Sequence, residues 1–254
     1  MNFQSNPSSG TIGARDFTYF SRIGSEVAPL WGALAYAGVS MPPGVGGPPG
    51  SPLSEPLLFG IGGGIGLGYF VYESGDYSSL FLATRITTAE SGQAGLLPDI
   101  LTRLGLPFRA LTASTPAAAE KKLLAELALG RPVVAYLDAR RLPYLASPAT
   151  YHSVLVLGFD PERRVYWVAD RVTQALPIQA DLLQAARQGE GAPKTRALVV
   201  ESALHHGAGG SVAAEKLRAA VRQGLEAGMA QLRHGFGPPN FRGNFGLMGL
   251  EKWG

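Results

Sequence analysis

The segment 149–171, ATYHSVLVLGFDPERRVYWVADR, constrains the fold more than any other part of the chain. Two β-branched and aromatic runs, 152–159 and 164–170, flank Asp160-Pro161-Glu162-Arg163. Short apolar runs bounded by turn-forming residues are the pattern of a β-hairpin. A loop of about three or four residues sets His152 opposite Asp170 or its immediate neighbour. Directly opposed residues on one face of an antiparallel pair have Cβ atoms ~4.5–5.5 Å apart. A carboxylate at that distance orients an imidazole, so one hairpin supplies two members of a catalytic triad. An ordinary structural His–Asp pair looks the same in sequence. A third, nucleophilic group elsewhere has to separate the two readings.

Composition narrows the classes. The chain has 254 residues, 46% apolar and 16% charged, enough for one substantial core. Its 34 glycines and 19 prolines predict many loops. No run reaches the ~18–20 apolar residues of a membrane helix, so no membrane partner is expected. The polar opening MNFQSNPSSGTIGARDF lacks the plan of a signal peptide, and a cytoplasmic location is the default expectation. The absence of cysteine excludes disulfides and thiolate metal sites. A net charge of +3 with scattered basic residues carries no basic stripe, so nucleic acid is not an expected partner. His205 and His206 lack a third ligand at metal spacing. Neither a metal nor a cofactor is expected.

The candidate nucleophile lies near the start of the chain. After an arm expected to be flexible over 1–15, residues 25–38 place Val27, Leu30, Trp31, Leu34 and Ala35 at helical spacing. Gly38 is a natural stop, and Pro29 belongs in the first turn. Ser25 and Glu26 fall at this helix start, where free N–H groups favour developing negative charge. Their backbone N–H groups are the candidate oxyanion donors. Ser25 as a simple helix cap is the competing assignment.

Residues 39–55 form a Pro/Gly-rich loop, followed by the glycine run 60–68. Its spacing fits neither GxGxxG nor a P-loop. Close backbone approach, to a neighbouring helix or to an extended substrate, explains it better. Gly62, Gly63 and Gly64, with Tyr69 beyond them, are therefore candidate substrate-binding residues. Further on, strands are expected at 80–86, 108–111, 133–138 and 195–201. Helices are expected at 93–104, 115–129, 181–187 and 211–233. The expected organisation is an arm over 1–15, one domain over 16–205, and a C-terminal helix with a Gly/Pro-rich tail over 206–254.

The string Ser54-Glu55-Pro56-Leu57-Leu58-Phe59-Gly60-Ile61-Gly62-Gly63-Gly64-Ile65-Gly66 resembles a signature of the butirosin biosynthesis protein H family, N-terminal domain. The family's nucleophile motif, with Cys-Glu ahead of spaced leucines, is similar to Ser25-Glu26 followed by Leu30 and Leu34. The family's His and Asp correspond to His152 and Asp170. Residues 244–253 resemble the start of the companion domain that usually follows. The resemblance implies an α+β, papain-like (C39-peptidase-like) fold, with an N-terminal helix at the nucleophile position packed on a central antiparallel sheet. It also implies acyl transfer from a thioester, typically on an acyl carrier protein, to a small amine. Ser25 stands at the family's cysteine position. A working Ser25–His152–Asp170 enzyme, a relative that binds without catalysis, and a serine introduced for the cysteine all stay open, as does hydrolysis in place of transfer. Lys121, Lys122, Arg140, Arg141, Arg163 and Arg164 are a possible docking face for an acidic carrier, or simply solvated cations. The oligomeric state is not legible.

Overall fold

A computed structural model describes residues 12–13, 26–64, 66, 68–74, 77–83, 95–145, 151–172, 174–189, 195–201, 211–234 and 245–253. Its elements run β1 (Ile12–Gly13), α1 (Ala28–Tyr36), α2 (Glu55–Ile61), β2 (Gly68–Ser74), β3 (Tyr77–Ala83), α3 (Leu96–Leu104) and β4 (Phe108–Leu111). They continue with α4 (Pro116–Ala128), β5 (Val133–Leu137), β6 (His152–Asp160), β7 (Val165–Ala169), β8 (Leu176–Gln179), α5 (Ala180–Arg187), β9 (Ala197–Val200), α6 (Ala214–His234) and α7 (Gly246–Trp253). The chain groups into two compact units, each assembled from separate stretches of sequence. One unit comprises 1–41, 47–55 and 106–211, and the other 42–46, 56–105 and 212–254.

The first unit is α+β. Its antiparallel sheet has the strand order β4-β9-β5-β6-β7-β8, with β1 beside β6. Ile12 and Gly13, expected in a flexible arm, thus pair with Phe159 and Gly158. β5 and the centre of β6 are apolar on both faces and fully buried, as strands covered from two sides must be. One face carries Val133, Ala135, Leu137, Val154, Val156, Phe159, Tyr166 and Val168, which pack with Leu123 and Leu127 of α4 and Leu183 of α5. On the other side α1 lies against β5, β6 and β9. The expected helix-first, sheet-second order is present. β4 and β8 form the two edges, and β8 carries Pro177.

Local chemistry explains most boundaries. Thr115 caps α4 by accepting the Ala118 N–H at 3.2 Å, with Pro116 at the first helical position. Gly130 follows in the left-handed conformation. α1 starts at Ala28, later than the expected residue 25, because Pro29 holds its first turn. Its cap is Val27, which makes no side-chain hydrogen bond.

The second unit holds α2, the β2–β3 hairpin, α3, α6 and α7. β3 begins three residues ahead of the expected strand and pairs with β2, which the periodicity did not single out. The glycine run is packing surface here. Gly62 lies against Leu96 and Ile100 of α3, and Gly64 against the Phe59 ring. Gly63 has φ +71° and sits beside Ala227 and Arg103, whose guanidinium donates to the Ile61 carbonyl. At Gly224 of α6 a methyl group would overlap the Gly60 carbonyl and the Ile61 backbone. No described helix is long and apolar enough to cross a membrane. Because backbone cannot yield as a side-chain tip does, Gly224→Ala is expected to lose about 1–3 kcal/mol, measurable in urea unfolding. A loss below half a kcal/mol would show that α2 and α6 approach less closely.

Candidate active site

The β6–β7 hairpin is closed by Asp160, whose Oδ1 accepts the N–H groups of Glu162 and Arg163, both at 3.0 Å. Arg164 completes the turn at φ +52°. From this turn the strands pair Asp160 with Val165, Phe159 with Tyr166 and Gly158 with Trp167. Continued unchanged, that register would bring Asp170 level with Leu155, on the face opposite His152. A bulge between Val156 and Gly158 takes up Leu157, and beyond it Val156 pairs with Val168 and Leu155 with Ala169. One further step brings Asp170 level with Val154, on the same face as His152. The expected direct opposition of His152 and Asp170 is therefore replaced by a diagonal relation, because the turn 161–164 sits further along the chain than assumed and the bulge takes back only one step of that shift. Diagonal neighbours remain within reach of long side chains.

The contact is made. His152 Nε2 lies 2.9 Å from Asp170 Oδ2, with side-chain exposures of 12% and 4%. A neutral imidazole beside an ionised carboxylate carries its proton on the bonded nitrogen, so Nε2–H donates to Asp170 and Nδ1 keeps the lone pair. This is the reverse of the serine-protease arrangement, in which Nδ1 faces the acid. The Tyr144 hydroxyl donates to the same Oδ2 at 3.1 Å. Burial first, and then the Asp170 charge, push the Tyr144 phenol upward, so it stays a donor.

On the other face, Glu26 is fastened by both residues that flank His152. Tyr151 Oη donates to Glu26 Oε1 at 2.7 Å, and Ser153 Oγ to the Glu26 carbonyl at 3.3 Å. The Tyr151 ring stacks on Tyr136 with centroids 5.8 Å apart. Burial, followed by the charge of Glu26, raises the Tyr151 phenol. Tyr136 is raised by the same two causes in that order. Ser25 and its N–H lie outside the described residues. Glu26, expected as a backbone oxyanion donor, precedes the helix and engages the β6 residues through its carboxylate and carbonyl. Helix capping falls to Val27, so the structure assigns no cap to a serine hydroxyl.

Gly62, Gly63 and Gly64 pack within the second unit, whereas His152 and Asp170 belong to the first. Tyr69 lies in β2, and its side chain is outside the described residues. His205 and His206 also fall outside them. Most cations of the expected docking face are engaged locally. Arg140 Nη2 meets Asp138 at 2.8 Å, Arg164 meets Asp181 at 3.1 Å, and Lys122 donates to the Thr112 carbonyl at 2.7 Å. Sequence reasoning missed Tyr144, Tyr151 and Ser153. Tyr151 and Ser153 flank His152, and strand alternation alone places both on the face opposite its ring.

An N-terminal helix packed on an antiparallel sheet, with His at the start of one strand and Asp just past the end of the next, makes the first unit an α+β fold with a buried His–Asp pair at one end of its sheet. The chain belongs to the butirosin biosynthesis protein H, N-terminal family, whose model matches residues 31–171, more than half of it. The match includes His152 and Asp170 and begins after Ser25. No curated protein matches the sequence. Among solved structures it is similar to a C39-like peptidase from Bacillus anthracis, at 15% identity and a TM-score of 0.46, covering 75% of this chain and 96% of that one.

Two outcomes follow from this geometry. Tyr151→Phe removes the hydroxyl that Glu26 accepts, and is expected to lose about 1–3 kcal/mol in urea unfolding. Tyr136, Tyr144 and Tyr151 have phenols raised in the folded state. Their contribution to stability is fully present below the unfolded value of about 10 and is lost as pH rises above it. Melting temperature is expected to fall above about pH 10, with the tyrosinate absorbance of these residues appearing only on unfolding.

Proposed function

We propose that the chain transfers acyl groups through Ser25, His152 and Asp170, from a thioester, on a carrier protein, to a small amine. The observation that carries the reading is the His152–Asp170 bond at 2.9 Å, beside a Glu26 anchored by Tyr151 and Ser153. Covalent geometry keeps Ser25 one Cα step, about 3.8 Å, from that anchored residue. Strand alternation turns His152 to the opposite face from Tyr151 and Ser153. The reading requires the serine hydroxyl to meet the imidazole at the start of β6, where His152 is the first strand residue.

The chemistry is then two acyl substitutions. Ser25 Oγ attacks the thioester carbonyl while His152 Nδ1 takes its proton. The tetrahedral adduct collapses, the C–S bond breaks, and the imidazolium returns the proton to the thiol. An amine next attacks the Ser25 ester and loses a proton to the same Nδ1; the C–O bond to Ser25 then breaks and the imidazolium returns that proton to Oγ, giving an amide and regenerated Ser25. Water in place of the amine makes the same intermediate a hydrolytic one. Asp170 holds Nε2–H and stabilises the imidazolium. A serine, unlike a cysteine, has no accessible anion near neutral pH and depends wholly on this base.

Incubation with an acyl thioester is expected to add the acyl mass to the peptide carrying Ser25. Ser25→Ala is expected to abolish the adduct, and His152→Gln to slow its formation by about 100-fold or more. Ser25→Cys is expected to acylate faster than the natural chain. An unlabelled natural chain, with Ser25→Cys equally inert, would leave the fold without this activity. Supplying an amine and separating amide from free acid decides between transfer and hydrolysis.

A further inference from the structure

The convergence of two donors on one oxygen gives Tyr144 a role that the triad alone does not. We propose that Tyr144 is a positioning residue that fixes Asp170 and sets how strongly its carboxylate holds the His152 imidazole. The inference rests on the reading of His152 as the base, but its central measurement does not depend on activity.

The geometry is specific. Tyr144 follows the 3-10 turn Ala139–Arg141, and that turn is pinned by Asp138, whose side chain is 1% exposed. Arg140 grips both Asp138 oxygens, through Nε at 3.0 Å and Nη2 at 2.8 Å. The Tyr144 side chain packs against the core beneath β5, β6 and β7 and extends its hydroxyl to Asp170 Oδ2 at 3.1 Å. His152 Nε2 meets that same oxygen at 2.9 Å. Asp170 lies just past the end of β7, where no strand pairing holds its backbone, and the following residues Arg171 and Val172 form a bend. The carboxylate is therefore oriented by its side-chain partners. A carboxylate that already accepts from a phenol has less charge left to offer an imidazolium. Tyr144 thus both steers Asp170 onto Nε2 and moderates its pull on the ring. Among the described residues, Asp170 bonds the ring and Tyr144 bonds Asp170 on the same face, with Arg171 adjacent to Asp170. Glu26 and Tyr151 lie on the α1 side of the sheet.

The test is the titration and tautomer of His152 by NMR on the full chain, its resonances assigned by their loss in His152→Gln. The natural chain is expected to show the Nε2–H tautomer. Tyr144→Phe, which keeps the ring that packs in the core, is expected to raise the His152 pKa by about half a unit or more. Replacing Tyr144 by 3-fluorotyrosine, a stronger donor of nearly the same size, is expected to move it the other way. An unchanged His152 titration and tautomer in both variants overturns the proposal, as does a shift of the same sign in both. If Tyr144→Phe fails to fold, the 3-fluorotyrosine chain alone decides, a downward shift supporting the role and no shift ending it. With a thioester donor, the acid limb of the acylation rate is expected to follow the NMR value in each variant. Opposite NMR shifts in a chain that never acylates would support the positioning role while removing the proposed activity. Normal acylation with an indifferent His152 titration would do the reverse.

Discussion

A pleated strand sends successive side chains to opposite faces, and one extra residue in β6 decides which face each member of this site occupies. The turn at Asp160–Val165 alone would set Asp170 on the face opposite His152. Leu157, absorbed as a bulge, exchanges the faces for everything between it and the strand's beginning. His152, Val154 and Val156 then share a face with Tyr166, Val168 and Asp170, and the apolar members of that set continue into the core under α4 and α5. The residues in between, Tyr151 and Ser153, turn toward α1 and take hold of Glu26. A single irregularity thereby arranges His152 and Asp170 on one side of the sheet and the anchors of Glu26 on the other.

Three buried carboxylates of the first unit, Asp138, Glu126 and Asp170, are held in two distinct ways. Asp138 is gripped by both ends of the Arg140 guanidinium, which lowers its proton affinity and makes it a fixed structural anion. Glu126, similarly buried, accepts from Arg109 at 2.9 Å and Arg131 at 3.3 Å. Asp170 has an imidazole and a phenol in place of a dedicated cation. Neither partner carries a permanent charge, so this carboxylate retains a capacity to stabilise a positive charge that comes and goes. That difference in partners, rather than burial, separates Asp170 from Asp138 and Glu126.

Much of this was legible in the sequence where the signal is local. The hairpin, the Thr115-Pro116 cap, α3, α5 and the strand pairs around β5 and β9 follow from periodicity and turn chemistry over a few residues. The His152–Asp170 pair was found through the alternation of the hairpin, although the register used was wrong by two positions. A bulge leaves no mark in composition, since Leu157 is as apolar as its neighbours and the glycine beside it has many other uses. The start of α1 was misplaced because Ser25-Glu26 resembles a capped beginning, whereas Pro29 in the first turn moves it inward. The short β8, the turn of α2 and the β2 partner of β3 carry weak periodicity and exist through what packs on them. Tyr144 lies outside any motif, and its role depends on a meeting with Asp170 that only the folded chain creates.

The β8 edge of the sheet limits what it offers to a newcomer. Along β8, Pro177 supplies no N–H, and a proline is tolerated in a ladder only where its nitrogen faces away from the paired strand. The outward row of donors is thus interrupted at the middle of an already short strand. An extended segment arriving from another molecule would find a broken rail there, which works against growth of the sheet on that side.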